Sequence, residues 1–315
     1  MVEVFGKKAT RFGFGEALVA LGEKDPKIFV LGADTVSSVA INDFQKKFPD
    51  RFINVGIAET NLIGMAAGLA AAGFIPFAAT YGVFASGRPW EQIRTTVCYS
   101  NLNVKIGGSH SGLMVGPDGA THQALEEIAI MRCIPKMTVI APCDLIETKK
   151  ATMMSAYFDG PVYIRYGREN VPIFTKQETP FEIGKANVLR DGKDVAILAC
   201  GTMVYESLMA AEILEKKGIK ARVVNIHTIK PIDEKVIIDA AKDCGAIVTA
   251  EEHQIFAGFG SAVAEVIVRN SPVPMEFVGV DDSFGESGEA YDLIEKFGLK
   301  DVNIAQSAEK VLKRK

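Results

Sequence analysis

Two of the four histidines lie in one glycine-rich segment, GGSHSGLMVGPDGATHQ, whose residues Gly107 to His122 we call the histidine loop. It supplies His110, Asp118 and His122, three side chains that can position or exchange protons. Two imidazoles in a single loop after an apolar run favour a functional role. In the structural alternative, His122 begins a helix capped by Thr121, and His110 is a solvated loop residue. A complete set of zinc ligands is absent nearby, so metal binding is the weaker functional interpretation.

Glu59 lies between a predicted strand and the long apolar stretch NLIGMAAGLAAAG. As an acidic residue at a helix N-terminus, it would be stabilised by the helix dipole. As a carboxylate in an apolar pocket, it would have a raised pKa and be suited to proton exchange. The sequence leaves both interpretations open.

Other candidate side chains are weak signals individually. Tyr81 and Phe84, in ATYGVFASG, are most simply core aromatics, and Arg11 and Arg168 are most simply solvated. The segment GFGSAV only loosely resembles a nucleotide-binding glycine motif and does not directly follow a predicted strand, so it indicates no nucleotide site.

The composition is that of a globular protein from a reducing compartment. Of the 315 residues, 48% are hydrophobic and 23% are charged, which excludes a disordered or collagen-like chain. The net charge is −4 and no basic run is interleaved with aromatics, so we expect no nucleic-acid partner. Five dispersed cysteines without a CxxC pair, and an N-terminus without the apolar core of a signal peptide, favour a cytoplasmic location.

An uncharged stretch from Leu62 to Gly87 is long enough to cross a bilayer. However, Gly73 and Pro76 divide it into two parts. We therefore predict a buried helix followed by a buried strand, and no membrane partner.

Short β-branched runs alternate with amphipathic stretches, which predicts parallel sheets covered by helices on both faces. The predicted strands of the first half begin at Ile28, Arg51, Phe74, Asn103, Met137 and Pro161. Those of the second half begin at Val195, Ala221, Ala246 and Met275. Helical spacing of apolar residues begins at Glu16, Ala124 and Glu206.

Residues 172–193 are polar, contain two prolines and show no helical period, so we interpret them as a linker. The fold class is therefore α/β, with two three-layer domains and mostly parallel sheets, at residues 1–180 and 190–315. Ligands of open parallel sheets bind at the carboxyl ends of the strands. In the first domain those ends carry Asp34, Glu59, Tyr81, the histidine loop and Arg165 to Arg168. The equivalent segments of the second domain are less focused, so we predict the active face in the first.

Taken together, these motifs resemble the C-terminal half of transketolase over essentially the whole chain. The matching segments are ATRFGFGEAL, LGADTVSS, the Glu59 segment, ATYGVFASGRPWEQIR, GPDGATHQALEEIAIMRCIP, APCDLIET, YGREN, HTIKPID and AEEHQ. They occur in the family's order, and GPDGATHQ is the most specific. The resemblance implies a pyrimidine-binding domain for thiamine diphosphate, followed by a transketolase C-terminal domain. It also implies transfer of a two-carbon ketol unit from ketose phosphates to aldose phosphates, in the pentose phosphate pathway.

The resemblance assigns cofactor-binding roles to four residues. Glu59 would hydrogen-bond a ring nitrogen of the aminopyrimidine and favour the imino tautomer that accepts the thiazolium proton. Tyr81 and Phe84 match aromatics that pack on the pyrimidine ring, and Asp34 matches a cofactor-contacting aspartate.

Substrate-binding roles follow from the same resemblance. His110 and His122 match histidines that contact the sugar oxygens and move protons during carbon–carbon cleavage, and Asp118 matches the residue that recognises the hydroxyl beside the carbonyl. The phosphate-holding positions at the mouth of the channel are matched by Arg11, Ser38 and Arg168. An arginine fork suits a phosphate dianion.

One segment departs from the family pattern. Gly87 stands roughly where some members carry a third aromatic, and an adjacent insertion obscures the alignment. We therefore leave the neighbouring side chains unassigned, namely Arg88, Trp90 and Gln92.

The family's diphosphate and metal signature begins with GDG, which does not occur in this chain. The resemblance thus implies a partner, an N-terminal subunit that mainly holds the divalent metal (Mg or Ca), while this chain supplies no metal ligand. We expect the two kinds of subunit to form a heterotetramer.

Three alternatives remain at this point. The β subunit of a 2-oxoacid dehydrogenase has a similar length, fold and cofactor, but it lacks the GPDGATHQ loop and has no use for Arg11 and Arg168. A deoxyxylulose-phosphate synthase fragment shares a DGxTHQ loop, but the YGREN context favours transketolase. A non-catalytic subunit would not need this combination of histidines and carboxylates.

Overall fold

The computed structural model describes residues 2–315, and strands alternate with helices along most of that length. Its first half comprises β1 (Lys7–Ala9), α1 (Thr10–Lys24), β2 (Ile28–Gly32), α2 (Asn42–Lys47), β3 (Phe52–Asn54), α3 (Glu59–Ala71), β4 (Ile75–Tyr81), α4 (Gly82–Gly87), α5 (Trp90–Gln92) with a π-helical continuation (Ile93–Tyr99), β5 (Lys105–Ser109), α6 (Glu127–Arg132), β6 (Thr138–Ile140), α7 (Leu145–Ala156), β7 (Val162–Arg165) and β8 (Asn170–Pro172). Two 3₁₀ turns span Pro49–Arg51 and Leu113–Asp118.

The second half comprises β9 (Asn187–Arg190), β10 (Val195–Ala199), α8 (Met203–Lys216), β11 (Ala221–Asn225), β12 (Thr228–Lys230), α9 (Glu234–Cys244), β13 (Ile247–Gln254), α10 (Phe259–Asn270), β14 (Met275–Val280), α11 (Ala290–Lys296) and α12 (Asp301–Leu312). The ten predicted strands are all present, each starting within one residue of the predicted position except β5, which starts two residues later.

The first large sheet has seven strands in the order β12-β6-β7-β5-β4-β2-β3. All neighbours are parallel except β12, which pairs antiparallel with β6. Successive side chains of a strand face opposite sides of the sheet. Accordingly, Phe77 packs in a core that includes Phe14 and Phe44, whereas its neighbour Ala78 packs with Leu62 on the other side. Helices cover both faces, as a buried parallel sheet requires.

The second large sheet has five strands in the order β14-β13-β10-β11-β9, parallel except for β9. One face packs against α8 and α12, with Leu214 and Ile304 in its core. The other face, which includes Leu198 and Ile237, continues into the core beneath the first sheet. The predicted three-layer α/β class with mostly parallel sheets is confirmed.

Two local expectations were incomplete. The predicted linker contains β9, an edge strand that pairs antiparallel with β11. β12 belongs to the second half of the chain but joins the first sheet. The domains at 1–180 and 190–315 therefore stay a proposal.

The predicted buried helix in the uncharged stretch is α3, but one of its faces is exposed at Gly64, Met65 and Gly68. No helix within residues 2–315 has both the length and the apolarity for crossing a membrane.

Candidate active site

The carboxyl ends of β2, β4 and β5, which are neighbours in the first sheet, bring the predicted residues together. Asp34 follows β2, Tyr81 is the last residue of β4, and His110 follows β5. His110 has a φ of 55°, so the chain turns sharply there out of the strand. The site thus lies at the edge of the sheet where open parallel sheets bind ligands.

Glu59 is the first residue of α3 and is only 4% exposed. Its Oε1 accepts a hydrogen bond of 2.8 Å from Nη1 of Arg88, a half-exposed side chain. The Arg88 guanidinium also lies 4.1 Å from the centre of the Phe84 ring. The surroundings of Glu59 thus include a cation as well as apolar groups, which neither interpretation from the sequence anticipated. Arg88, left unassigned from the sequence, belongs to the site.

Four rings form a continuous aromatic wall. Tyr81 stacks on His110 at a centroid distance of 4.1 Å and lies parallel to Phe84 at 6.0 Å. The ring of His122 makes T-shaped contacts with both Tyr81 and Phe84, at centroid distances of 5.8 and 5.3 Å. The histidines of the loop are thus held against the aromatics that follow the neighbouring strand.

His110 is buried, and its Nδ1 is hydrogen-bonded to Oγ of Ser109 at 2.8 Å. Burial lowers the pKa of His110 to about 3, and the charges of Arg11, Arg168 and His122 act in the same direction. At neutral pH the imidazole is uncharged, so it acts as a hydrogen-bonding group rather than as a cation.

His122 does not begin a helix, since α6 starts only at Glu127. Its Nδ1 is hydrogen-bonded to Oγ1 of Thr121 at 2.8 Å, which orients the ring. The structural alternative for His122 therefore fails in this structure, and the alternative of a solvated His110 fails as well.

Arginines surround the open side of the site. Nη1 of Arg168 donates to the main-chain oxygen of Val115 at 2.7 Å and to Oδ1 of Asp118 at 3.1 Å. Nη1 of Arg11 donates to the main-chain oxygen of Ser38 at 3.0 Å. Burial and the nearby Arg168 lower the pKa of Arg11. The structure thus brings Arg11, Ser38, Asp118 and Arg168 close together, with Asp118 already paired.

Asp34 stands slightly apart on the exposed surface, with a φ of 58°. Its Oδ1 accepts from Nδ2 of Asn54 at 2.8 Å, and its N–H donates to Oδ1 of the same side chain. Asn54 ends β3, and the rule about carboxyl ends of strands was the signal that could have identified it. Arg165, by contrast, turns away from the cleft and pairs with Glu127 inside the protein.

These residues fit the pyrimidine end of thiamine diphosphate. Glu59 offers a buried carboxylate, and Tyr81 and Phe84 offer parallel rings. At the phosphate-holding positions, the buried Nε of Arg11 has no hydrogen-bond partner within the described chain. Nowhere in residues 2–315 do three His, Cys, Asp or Glu side chains come close enough together to hold a metal ion.

Known proteins share this arrangement of domains. Residues 6–173 match the family "Transketolase, pyrimidine binding domain" and residues 184–304 match "Transketolase, C-terminal domain". A putative transketolase C-terminal section from Methanocaldococcus jannaschii is 48% identical over 318 residues, covering 100% of both chains. A 6-deoxy-6-sulfo-D-fructose transketolase subunit from a Clostridium species is 44% identical, covering 95% of this chain and 93% of the relative.

A solved structure described as a split gene transketolase, inactive beta4 tetramer, superimposes with a TM-score of 0.91. It is 48% identical and the match covers 97% of this chain and 98% of that one. The chain therefore belongs to the transketolase family and corresponds, over its whole length, to the C-terminal section of a split transketolase.

Proposed function

We propose that this chain is the C-terminal subunit of a thiamine diphosphate-dependent transketolase, acting in the cytoplasm within the pentose phosphate pathway. It would transfer a two-carbon ketol unit from ketose phosphates to aldose phosphates. The observation that carries the proposal is the convergence of Glu59, the aromatic wall with its two histidines, and the arginine mouth on one edge of the first sheet.

Glu59, Asp34, Tyr81 and Phe84 would hold the pyrimidine half of the cofactor. When bound, thiamine diphosphate supplies the carbon nucleophile that attacks a ketose carbonyl. Glu59 would share a proton with a pyrimidine ring nitrogen, and its burial keeps water from competing for that contact. Tyr81 and Phe84 would exclude water from the ring faces.

The remaining residues would handle the sugar. Neutral His110, together with His122, would bind the sugar oxygens and move protons during cleavage, while Asp118 would recognise the hydroxyl beside the carbonyl. The phosphate would be held at the mouth by Arg11, Ser38 and Arg168. An unphosphorylated 2-oxo acid has no phosphate remote from its reacting carbonyl, and its carboxylate is adjacent to that carbonyl, which favours the proposal over a 2-oxoacid dehydrogenase subunit.

A second polypeptide is part of the proposal. The missing GDG signature supports an N-terminal subunit that binds the diphosphate and the divalent metal, Mg or Ca. The related tetramer of a single kind of chain supports self-association of this subunit within a heterotetramer.

The proposal is tested by mixing the chain with its candidate partner subunit, thiamine diphosphate and a divalent cation. Ketol transfer is then followed from a ketose phosphate to an aldose phosphate. A sulfonated ketose is run beside it, because the Clostridium relative is named for such a sugar. We expect transfer with the mixture and none with the chain alone.

Two results would overturn the proposal. Robust transfer by the chain alone would remove the second subunit. Condensation of pyruvate with an aldose phosphate, or oxidative decarboxylation of a 2-oxo acid, in place of ketol transfer would instead support a synthase or a dehydrogenase subunit.

A further inference from the structure

The second domain has a potential ligand crevice that is occupied by the first domain. β10 lies at the centre of the second sheet, between β11 and β13. From β10 the chain continues into β11 on one side of β10, whereas β13 lies on the opposite side. The strand order therefore reverses between β10 and β13, and the carboxyl ends of these two strands form a topological switch point. Thr202 and Glu252 stand at that point; Glu252 bonds Met114 of the histidine loop, and Thr202 bonds Glu252.

Glu252 connects three segments of the protein through separate oxygens. Its Oε1 accepts from the N–H of Met114 at 2.7 Å, and its Oε2 accepts from Oγ1 of Thr202 at 2.7 Å. Its main-chain oxygen accepts from Nη2 of Arg165 at 2.6 Å. Glu252 is only 3% exposed, so water does not compete for these bonds.

The loop is shaped to approach this carboxylate. A Cβ on Gly112 would lie 2.2 Å from Oε1 of Glu252, and the φ of Gly112 is 83°, which a glycine adopts without strain. Further along the loop, Nε2 of Gln123 donates to the main-chain oxygen of Glu286 at 2.9 Å. Just beyond the loop, the N–H of Gln254 donates to the main-chain oxygen of Leu125 at 2.8 Å. Asp118 and His122 therefore lie on an arch whose two ends are fastened to the second domain.

Arg165 adds a further contact between the end of β7 and Glu252. It is buried and pairs with Glu127 as well as with the main chain of Glu252. Burial lowers the pKa of Arg165, but the nearby Glu127 and Glu252 raise it by a larger amount. The guanidinium therefore stays charged. A buried charge of this kind is held in place by its partners.

We propose that Glu252 is a positioning residue for the histidine loop. By fixing the main chain at Met114, it keeps His110 and His122 against Tyr81 and Phe84, which gives the second domain a direct part in turnover. The kinetic part of this inference rests on the proposed function, whereas the structural part does not.

The test compares variants of two adjacent buried carboxylates. Glu252→Met removes the acceptors for Met114 and Thr202, while the matched control Glu251→Met removes the acceptors for the N–H groups of Phe259 and Gly260 at the start of α10. Glu252→Gln keeps a carbonyl acceptor for Met114 and an amide that can bond Thr202. Glu252→Asp keeps the negative charge on a shorter side chain, which cannot extend to both Met114 and Thr202. It replaces Glu252→Met as the test if the methionine variant does not fold.

Amide hydrogen exchange is measured on the full chain without its partner. In Glu252→Met and Glu252→Asp we expect exchange of residues 112–122 to accelerate about tenfold or more, the scale of a lost hydrogen bond to a charged group. In Glu251→Met the acceleration should fall on residues 259–262 and leave the loop unchanged. Glu252→Gln should resemble the wild type.

Ketol transfer is then measured with the partner present. Glu252→Met should lower kcat about ten- to a hundredfold, whereas Glu251→Met and Glu252→Gln stay within about threefold. The inference is overturned if the loop exchanges normally in Glu252→Met and Glu252→Asp, if Glu251→Met loosens the loop equally, or if a loosened loop leaves kcat unchanged. If the wild-type mixture shows no ketol transfer while hydrogen exchange follows the expected pattern, the proposed function is refuted. That result would still support the positioning of the loop by Glu252.

Discussion

The carboxyl edges of the two sheets have the same architecture but different contents. In the first, Glu59, Asp118 and the two histidines lie together with arginines and aromatic rings. In the second, the equivalent carboxylate Glu251 caps the N–H groups that begin α10. Glu59 and Asp118 are each paired with an arginine, yet the buried Nε of Arg11 has no hydrogen-bond partner within residues 2–315, so the first edge keeps polar groups for a ligand. Where the polar groups at a strand end are hydrogen-bonded to other parts of the protein, the same geometry instead holds two segments of the chain together.

The comparison is sharpest between two acidic residues that each begin a helix. Glu59 begins α3 and is buried, whereas Glu234 begins α9 and is exposed. Glu59→Gln in the assembled enzyme should lower turnover on the order of a hundredfold or more, because the proton-sharing carboxylate is lost. The melting temperature should change little, since glutamine can still accept from Arg88.

Glu234→Gln is the matched control, and it should leave turnover within about twofold because only a helix-dipole interaction changes. Steady-state kinetics and thermal melts of both variants check the pair. Near wild-type turnover of Glu59→Gln would make the two acids equivalent, and Glu59 would then be only a helix-start residue.

His122→Ala should come next in size, with kcat lowered by about a hundredfold, as expected for loss of an acid–base group. The loss should be similar for phosphorylated donors and for hydroxypyruvate, since proton transfer does not involve the phosphate. Thr121→Ala is the control, because it keeps the imidazole and removes only the hydrogen bond to Nδ1. If both variants lost equal activity, the orientation of the loop, rather than the imidazole itself, would be what matters.

Arg168→Ala should mainly raise KM for phosphorylated sugars, by about ten- to a hundredfold, the scale of one charge-assisted contact. Hydroxypyruvate should be little affected. Arg168 also bonds Val115 and Asp118 within the loop, so unchanged amide hydrogen exchange of residues 112–122 in Arg168→Ala shows that the loop has kept its place and that the effect comes from phosphate binding. Equal losses of Arg168→Ala on both donors would remove the phosphate assignment and reopen the dehydrogenase-subunit alternative.

The same contrast explains what the sequence could and could not predict. Strands were found because β-branched runs have a local signature, and the site followed because carboxyl ends of parallel strands meet at one edge. The pairs Glu59–Arg88 and Glu252–Met114 were missed, because they depend on how distant segments pack; the second pair is 138 residues apart. β9 and β12 were missed because both are antiparallel edge strands that lie outside the strand–helix alternation on which the prediction was based.

The roles of individual residues depended on the resemblance more than on local patterns. Nothing in the local sequence distinguishes His110, buried against Tyr81, from a solvated loop histidine. Likewise, the sequence could not reveal that Asp118 is paired with Arg168. Both facts arise from the path of the histidine loop across the end of the sheet.

The smallest expected effect on activity belongs to His227, a buried histidine of the second domain. Its Nδ1 is hydrogen-bonded to Oγ1 of Thr228 at 3.0 Å, its ring stacks on Phe181, and its Nε2 has no partner among residues 2–315. Burial lowers the pKa of His227 to about 4, with Asp233 acting in the opposite direction. His227 thus shares the neutral state of His110, but it lies outside the cleft.

A lowered pKa links His227 to stability at acid pH. Below about pH 6.5 the unfolded chain takes up a proton that the folded chain resists, so stability is lost as the pH falls from about 6.5 to about 4. His227→Asn keeps a polar atom near Thr228 and removes the titrating ring. The drop in unfolding free energy between pH 7 and pH 5 should therefore be smaller by about 1–2 kcal/mol in the variant.

Denaturant unfolding at both pH values, with each drop compared with that of the wild type, checks this expectation. The comparison is needed because burial raises the pKa of Glu147 to about 7, so that residue favours the folded state as the pH falls and masks part of the wild-type drop. Turnover of the assembled His227→Asn enzyme should stay within about twofold of wild type, because no site residue contacts the ring. An unchanged acid drop would mean that His227 does not titrate over this range. A large loss of turnover would place part of the reaction's machinery in the second domain beyond Glu252.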